Sequence, residues 1–157
     1  MTRVKKHTIS AVLFYLFSNP CYATEVVTDN FTFKGHEIAL AQVKDHCQLN
    51  ISSSTVKKIY PLTLTTPCYF LRNINAEPQK YRYSDVNIEA TFIISGNPVT
   101  KDERETWNLP PEIQCGMQGQ GLLFDGTHFS ISEKKLNNLL LCKDKGTDEK
   151  NYWMLSH

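Results

Sequence analysis

The segment Cys115–Cys142, CGMQGQGLLFDGTHFSISEKKLNNLLLC, carries a small structural unit between two cysteines. Leu122, Leu123 and Phe124 lead into Asp125-Gly126, a dipeptide suited to a two-residue turn with positive φ, and Thr127 to Ile131 lead back out; this predicts a β-hairpin. Ser130 followed three residues later by Glu133 matches a capping box, and Leu136, Leu139 and Leu140 recur at helical spacing. That pattern predicts a short amphipathic helix over about Ser132–Leu141. A bond between Cys115 and Cys142 would tie the helix to the base of the hairpin. Gly116, Gly119 and Gly121 lead into a strand rather than a helix, so they point to a bulge or a close backbone contact and not to a phosphate-binding loop.

At the start of the chain, Arg3, Lys5 and Lys6 precede the apolar run Ile9 to Phe17, which ends at Asn19-Pro20-Cys21-Tyr22-Ala23. The basic flank, the short apolar run and the small terminal residue are those of a secretory signal peptide over residues 1–23, cleaved after Ala23. The run is too short to span a bilayer, and no later stretch is long and apolar enough. Removing 23 of the 157 residues leaves 134, the length of one β-rich domain over residues 24–157. The signal takes three of the 17 basic residues and no acidic one, leaving 14 against 16, a net charge of about −2. With no basic stripe to neutralise phosphates, a nucleic-acid partner is not expected.

Cys47, Cys68, Cys115 and Cys142 follow the signal, and four cysteines in an exported chain of this size read as two disulfides. Three connectivities are open; Cys47–Cys68 with Cys115–Cys142 is favoured because each closes a loop of modest length around a local unit. A zinc site lacks the close paired spacing, and no metal or cofactor is expected.

Between these landmarks the chain reads as short strands. Phe31 and Phe33 alternate before Lys34-Gly35, and Ile38 to Val43 is read as strand. Leu49 and Ile51 continue past Cys47 to the polar turn Ser52-Ser53-Ser54. Val56–Leu64 is a strand interrupted by Pro61, hence at an edge or a bulge. Val86, Ile88, Ala90, Phe92 and Ile94 form one apolar face opposite Asn87, Glu89, Thr91 and Ser95, the clearest alternation in the chain. Lys101–Pro111 is a charged connection with a helical turn at Asp102–Trp107, and the apolar tail Tyr152-Trp153-Met154-Leu155 is expected to dock as a last strand. The fold class is mainly β: an antiparallel β-sandwich or barrel-like domain with one or two short helices, stabilised by disulfides.

Catalytic patterns are weak. Ser54-Thr55-Val56-Lys57 and Ser132-Glu133-Lys134-Lys135 match S-x-x-K, in which serine is a nucleophile activated by lysine, but no Ser-Asp-Asn or Lys-Thr-Gly partner accompanies them. A minimal serine hydrolase using Ser54 or Ser132 is therefore only the competing class. His36, His46, His128 and His157 are scattered, and Asp144, Asp148 and Glu149 lack the spacing of a calcium loop. Tyr60, Tyr69, Tyr81, Tyr83 and Trp107 exceed the needs of one small core and are candidate binding residues; the bland alternative is that they cap the open ends of the sandwich.

In length, export signal, cysteines and β-rich pattern, the chain resembles the CarG-like family of carbapenem intrinsic-resistance proteins, whose β-sandwich is similar to that of periplasmic lysozyme inhibitors. Those inhibitors carry a Ser-Gly-x-x-Tyr loop; Ser95-Gly96-Asn97-Pro98-Val99 supplies the Ser-Gly and places Val99 where the tyrosine would be. The resemblance implies a non-enzymatic periplasmic protein that gives carbapenem resistance or self-immunity by binding a small-molecule antibiotic. The alternative is an immunity protein or inhibitor acting on a peptidoglycan-degrading enzyme. A homodimer through an edge strand is a further expectation.

Overall fold

The computed structural model describes residues 25–157, so the signal peptide expected over residues 1–23 lies outside the described residues. Four strands, β1 (Val26–Phe33), β2 (His36–Val43), β3 (His46–Ser52) and β4 (Lys57–Thr65), form an antiparallel meander in chain order. A second antiparallel sheet comprises β5 (Tyr69–Phe70), β6 (Lys80–Tyr83), β7 (Ile88–Pro98), β8 (Cys115–Phe124) and β9 (Phe129–Cys142). Its order is β5-β7-β8-β9, with the short β6 pairing to β7 beyond the end of β5. Two helices complete the domain, α1 (Lys101–Thr106) and α2 (Glu149–Ser156). Neither is long and apolar enough to cross a membrane.

The sheets stack as a sandwich, because alternate residues of the first sheet (Ile38, Leu40, Leu49, Ile51, Leu62, Leu64) face Phe70, Phe92, Ile94, Leu122 and Phe124 of the second. Each such side chain, removed from water, contributes about 1.5–3 kcal/mol. A second core lies on the far side of the second sheet, where Tyr152 and Leu155 of α2 pack on Leu71, Ile93, Leu136 and Leu141. This covering layer explains why β7 is buried on both faces. Thr91 and Ser95, expected opposite the core, are 0% and 1% exposed. Their hydroxyls are satisfied: Thr91 Oγ1 lies 2.7 Å from Ser156 Oγ, and Ser95 Oγ donates to the Leu141 carbonyl at 3.0 Å.

The structure corrects three sequence expectations. The helix over Ser132–Leu141 does not form; those residues belong to β9. Two bulges in β9 set three residues, Ser132 to Lys134 and Asn138 to Leu140, opposite single residues of β8. The bulges shift the strand's phase, so its buried side chains fall at Phe129, Ser132, Leu136, Leu141 and Cys142 rather than at alternate residues, and from Phe129 to Leu136 the intervals of three and four imitate a helix. The tail Tyr152–Leu155 is helix rather than strand: Asp148 caps α2 by accepting from Lys150 N–H at 2.8 Å, and Tyr152 and Leu155, three residues apart, turn to one face. The hairpin exists, but its loop has four residues rather than two, with Phe124 paired to Phe129 and Asp125 Oδ1 accepting from Thr127 and His128 N–H.

Both disulfides join the favoured pairs. Cys47–Cys68 links β3 of one sheet to the residue preceding β5 of the other, and Cys115–Cys142 joins directly paired residues of β8 and β9. The glycines of β8 mark the close approach expected of them: a Cβ on Gly116 would lie 2.2 Å from the Gly96 carbonyl oxygen. Pro61 sits on an edge strand, as anticipated. Beyond Pro61, which has no N–H, two backbone donors of β4 are met by side chains of the second sheet and its loop, Thr63 N–H by Gln120 Oε1 at 3.3 Å and Thr65 N–H by Asn97 Oδ1 at 2.9 Å.

Candidate functional site

Where β6 takes over from β5, the second sheet extends past the cover of the first, and a slot of about 290 Å³ opens between β1 and β6. Phe31, Thr32 and Phe33 of β1 form one wall, Glu77, Pro78 and Lys80 the other, and Phe92 the floor. The rings are fixed by mutual packing. Phe31 meets Phe70 edge-on at 4.7 Å and Phe92 at 5.0 Å, and Phe33 meets Phe92 and Phe124 edge-on at 5.1 and 5.5 Å. Phe31 and Phe33 remain half-buried, so the sandwich presents an apolar surface to solvent here, its rings held by mutual packing.

The charges beside the slot come from both sheets. Lys80 pairs with Phe92 across the ladder, which puts its side chain on the inner face of β6, where no strand of the first sheet opposes it. It makes no ion pair among the described residues, whereas Lys34 at the end of β1 binds Glu89 at 2.7 Å. Midway along β1 the carboxylate of Asp29, almost wholly buried, accepts from Arg72 Nη2 at 2.6 Å and from Phe70 N–H at 3.0 Å. Lys143 lies 4.0 Å from Asp29 and 5.1 Å above the Tyr69 ring. Arg72 also donates to the carbonyls of Asn30 and Ala76, so this cluster clamps β1 to the loop that leads into β6. Asp29 and Arg72 are taken up by one another and by backbone groups, and the cluster's role is to position the slot's two walls.

The five aromatic candidates do not converge. Tyr60 is half-buried and donates to the Phe129 carbonyl at 2.9 Å. Tyr69 lies under Lys143, and burial together with the nearby Asp29 charge pushes its phenol pKa up. Tyr81 packs on Tyr152 at 4.8 Å, and Tyr83 is buried, donates to the Glu149 carbonyl and has its pKa pushed up to about 12, chiefly by burial. Of the five, Trp107 alone is exposed, just past α1. Four of them thus close the sandwich or hold α2.

Ser54 is exposed in the turn before β4, with Lys57 exposed at the start of that strand. Ser132 is buried; its hydroxyl accepts from Gly121 N–H at 2.8 Å and donates to the Lys134 carbonyl at 2.8 Å. That donation directs its proton at a carbonyl and not at a base. His128 stands near Asp125 in the hairpin loop, His46 near Asp45 and His157 near Asp85. Among the described residues no three histidines, cysteines or carboxylates cluster as a metal site would require. The slot residues Phe31, Phe33 and Phe92 had been legible only as strand and core, since nothing local in sequence reveals that β6 is left uncovered. Neither a family model, a curated protein nor a solved structure matches the chain.

Proposed function

We propose that the protein is exported to the periplasm and acts there as a non-enzymatic protective protein, giving carbapenem resistance or self-immunity by binding rather than by chemistry. The two disulfides suit an oxidising compartment. The observation that carries the binding reading is the aromatic slot itself, a preformed concave surface with a few polar groups at its rim. In support, the buried polar side chains of Asp29, Ser95, Gln120 and Ser132 are held in hydrogen bonds within the fold.

The experiment uses the chain from residue 24 with its disulfides intact. A carbapenem is added in excess, its ring chromophore is followed, and binding is measured in parallel by calorimetry. Saturable binding with an unchanged chromophore is the expected result. Steady loss of the chromophore that disappears in Ser54→Ala or Ser132→Ala would replace this reading with the hydrolase.

A further inference from the structure

The wall of the slot formed by β1 offers more than aromatic rings. Among the described residues β1 pairs only with β2, which leaves its other edge open there. Asn30 shows which residues face that edge: its N–H donates to Asp29 Oδ1 at 2.9 Å and its carbonyl accepts from Arg72 Nη2 at 2.9 Å, both away from β2. Backbone groups alternate along a strand as side chains do, so the N–H and C=O of Thr32, two residues on, point the same way. Thr32 lies between Phe31 and Phe33 in the lining of the slot. The slot therefore combines an unpaired strand edge, an apolar pocket beside it and, across from it, Lys80 with no anionic partner among the described residues.

The outer edges of β4 and β9 are treated differently. On β4, Pro61 removes one donor and Gln120 and Asn97 occupy the next two. On β9, the bulges and the exposed run Glu133, Lys134 and Lys135 break the edge. On β1 the clamp of Asp29 and Arg72 covers the middle of the strand and stops at Asn30.

We propose that the slot binds an extended segment of a partner protein, which lies along the open edge of β1 as an added strand. Main-chain hydrogen bonds to Thr32 supply the affinity. An apolar side chain seats on Phe31, Phe33 and Phe92, and an acidic residue of the segment faces Lys80. Glu77, on the same wall as Lys80, disfavours a second acidic residue there, so the segment carries one acid beside its apolar anchor. This deepens the binding reading above and rests on it: the protective act becomes the capture of an exposed strand or loop of a protein.

The test is a displayed library of linear twelve-residue peptides, selected on the disulfide-bonded protein. Each enriched sequence is made as a fluorescent peptide and its affinity read by polarisation. The expected result is enrichment of alternating sequences with one apolar anchor and an adjacent acid. Their affinity falls at least tenfold in Thr32→Pro, which removes the edge donor, at least fivefold in Lys80→Glu, and less than twofold in Thr32→Val, which keeps the donor. Circular dichroism of each variant establishes that it is folded; should Thr32→Pro not fold, protection of the Thr32 amide against exchange on peptide binding replaces it. No enrichment, or peptides whose affinity survives both Thr32→Pro and Lys80→Glu, overturns the proposal. A carbapenem that binds while no peptide does leaves the binding reading standing and removes this one; if neither binds, both fall.

Discussion

His157 Nε2 stands 2.9 Å from Asp85 Oδ2 while Nδ1 of the same ring lies 3.0 Å from the Trp153 carbonyl oxygen, so both ring nitrogens face acceptors. Only the doubly protonated imidazolium can donate to both. The Trp153 indole stacks on the ring at 4.5 Å, a further favourable contact for a cation. The hydrogen bond to Asp85 raises the histidine's pKa and lowers that of the carboxylate, with Lys134 nearby as an opposing charge. A raised histidine pKa means stability that is complete below its unfolded value of about 6.5 and lost as pH rises through the folded value. For Asp85 the sign is reversed: its share is present above about 3.9 and lost as pH falls through the lowered value. The tie between α2 and the turn at Ser84–Val86 is thus strongest between about pH 4 and 6.5. The expected outcome is a melting temperature that declines from pH 6 to pH 8.5 more steeply in the natural chain than in His157→Gln. Equal slopes would remove the imidazolium from the account, since every other histidine of the chain is common to both proteins.

Asp29 and Arg72 make the most buried ion pair of the described residues, with side chains 5% and 14% exposed. Replacing Arg72 by methionine keeps much of the apolar stem and leaves the carboxylate with only Lys143, at 4.0 Å, as a cationic neighbour. Removing one partner of a buried pair costs about 3–5 kcal/mol, and the lower end is expected because Phe70 N–H still donates to Asp29. Urea denaturation of Arg72→Met measures it. A loss below about 1 kcal/mol, the scale of an exposed pair, would show that the clamp is not what fixes β1 against the loop before β6.

How far this fold could be read from its sequence depended on whether the determinant was local. The pairing of Leu122–Phe124 with Phe129–Ile131 needed only a turn and alternation, and it is present, with a longer loop because Asp125 caps the turn with its own side chain. Leu136, Leu139 and Leu140 misled because β9 has 14 residues against ten in β8, and the surplus is absorbed in bulges whose spacing mimics a helix. The tail became a helix because the far face of the second sheet lacked a cover, a fact set by Ile93 and Leu136 lying on that face. The slot has the same origin: Phe31 and Phe33 look like any core-facing pair until β6 is displaced past β5.

The two disulfides are expected to differ in what they hold. By loop entropy each contributes about 3 kcal/mol, since the sequence separations, 21 and 27 residues, are similar. Cys115 and Cys142 are already neighbours in a hydrogen-bonded ladder, whereas Cys47 and Cys68 join the two sheets inside the main core. The pair Cys47→Ala and Cys68→Ala should therefore lower stability more than Cys115→Ala with Cys142→Ala, by the added cost of a cavity between the sheets. Guanidinium unfolding midpoints of the two double variants decide it; an equal or reversed order would mean that the sheets hold together without the bridge.

Ser132 allows the structural and reactive readings of its hydroxyl to be separated. It sits where three residues of β9 face Gly121 alone, and a Cβ on that glycine would come within 3.0 Å of Ser132 Oγ. The hydroxyl accepts from Gly121 N–H and donates to the Lys134 carbonyl, filling the gap that the bulge leaves in the ladder. Ser132→Ala strips a buried N–H of its acceptor, which costs about 1–3 kcal/mol, while Ser132→Thr keeps the hydroxyl and adds a methyl group to a closely packed position. Both variants should be destabilised, the first through a lost hydrogen bond and the second through crowding, and both should bind a carbapenem or a selected peptide as the natural chain does. A natural chain that consumes the carbapenem chromophore, together with an alanine variant of unchanged stability that does not, would mark the hydroxyl as a reacting group and return Ser132 to the role its S-x-x-K spacing suggested.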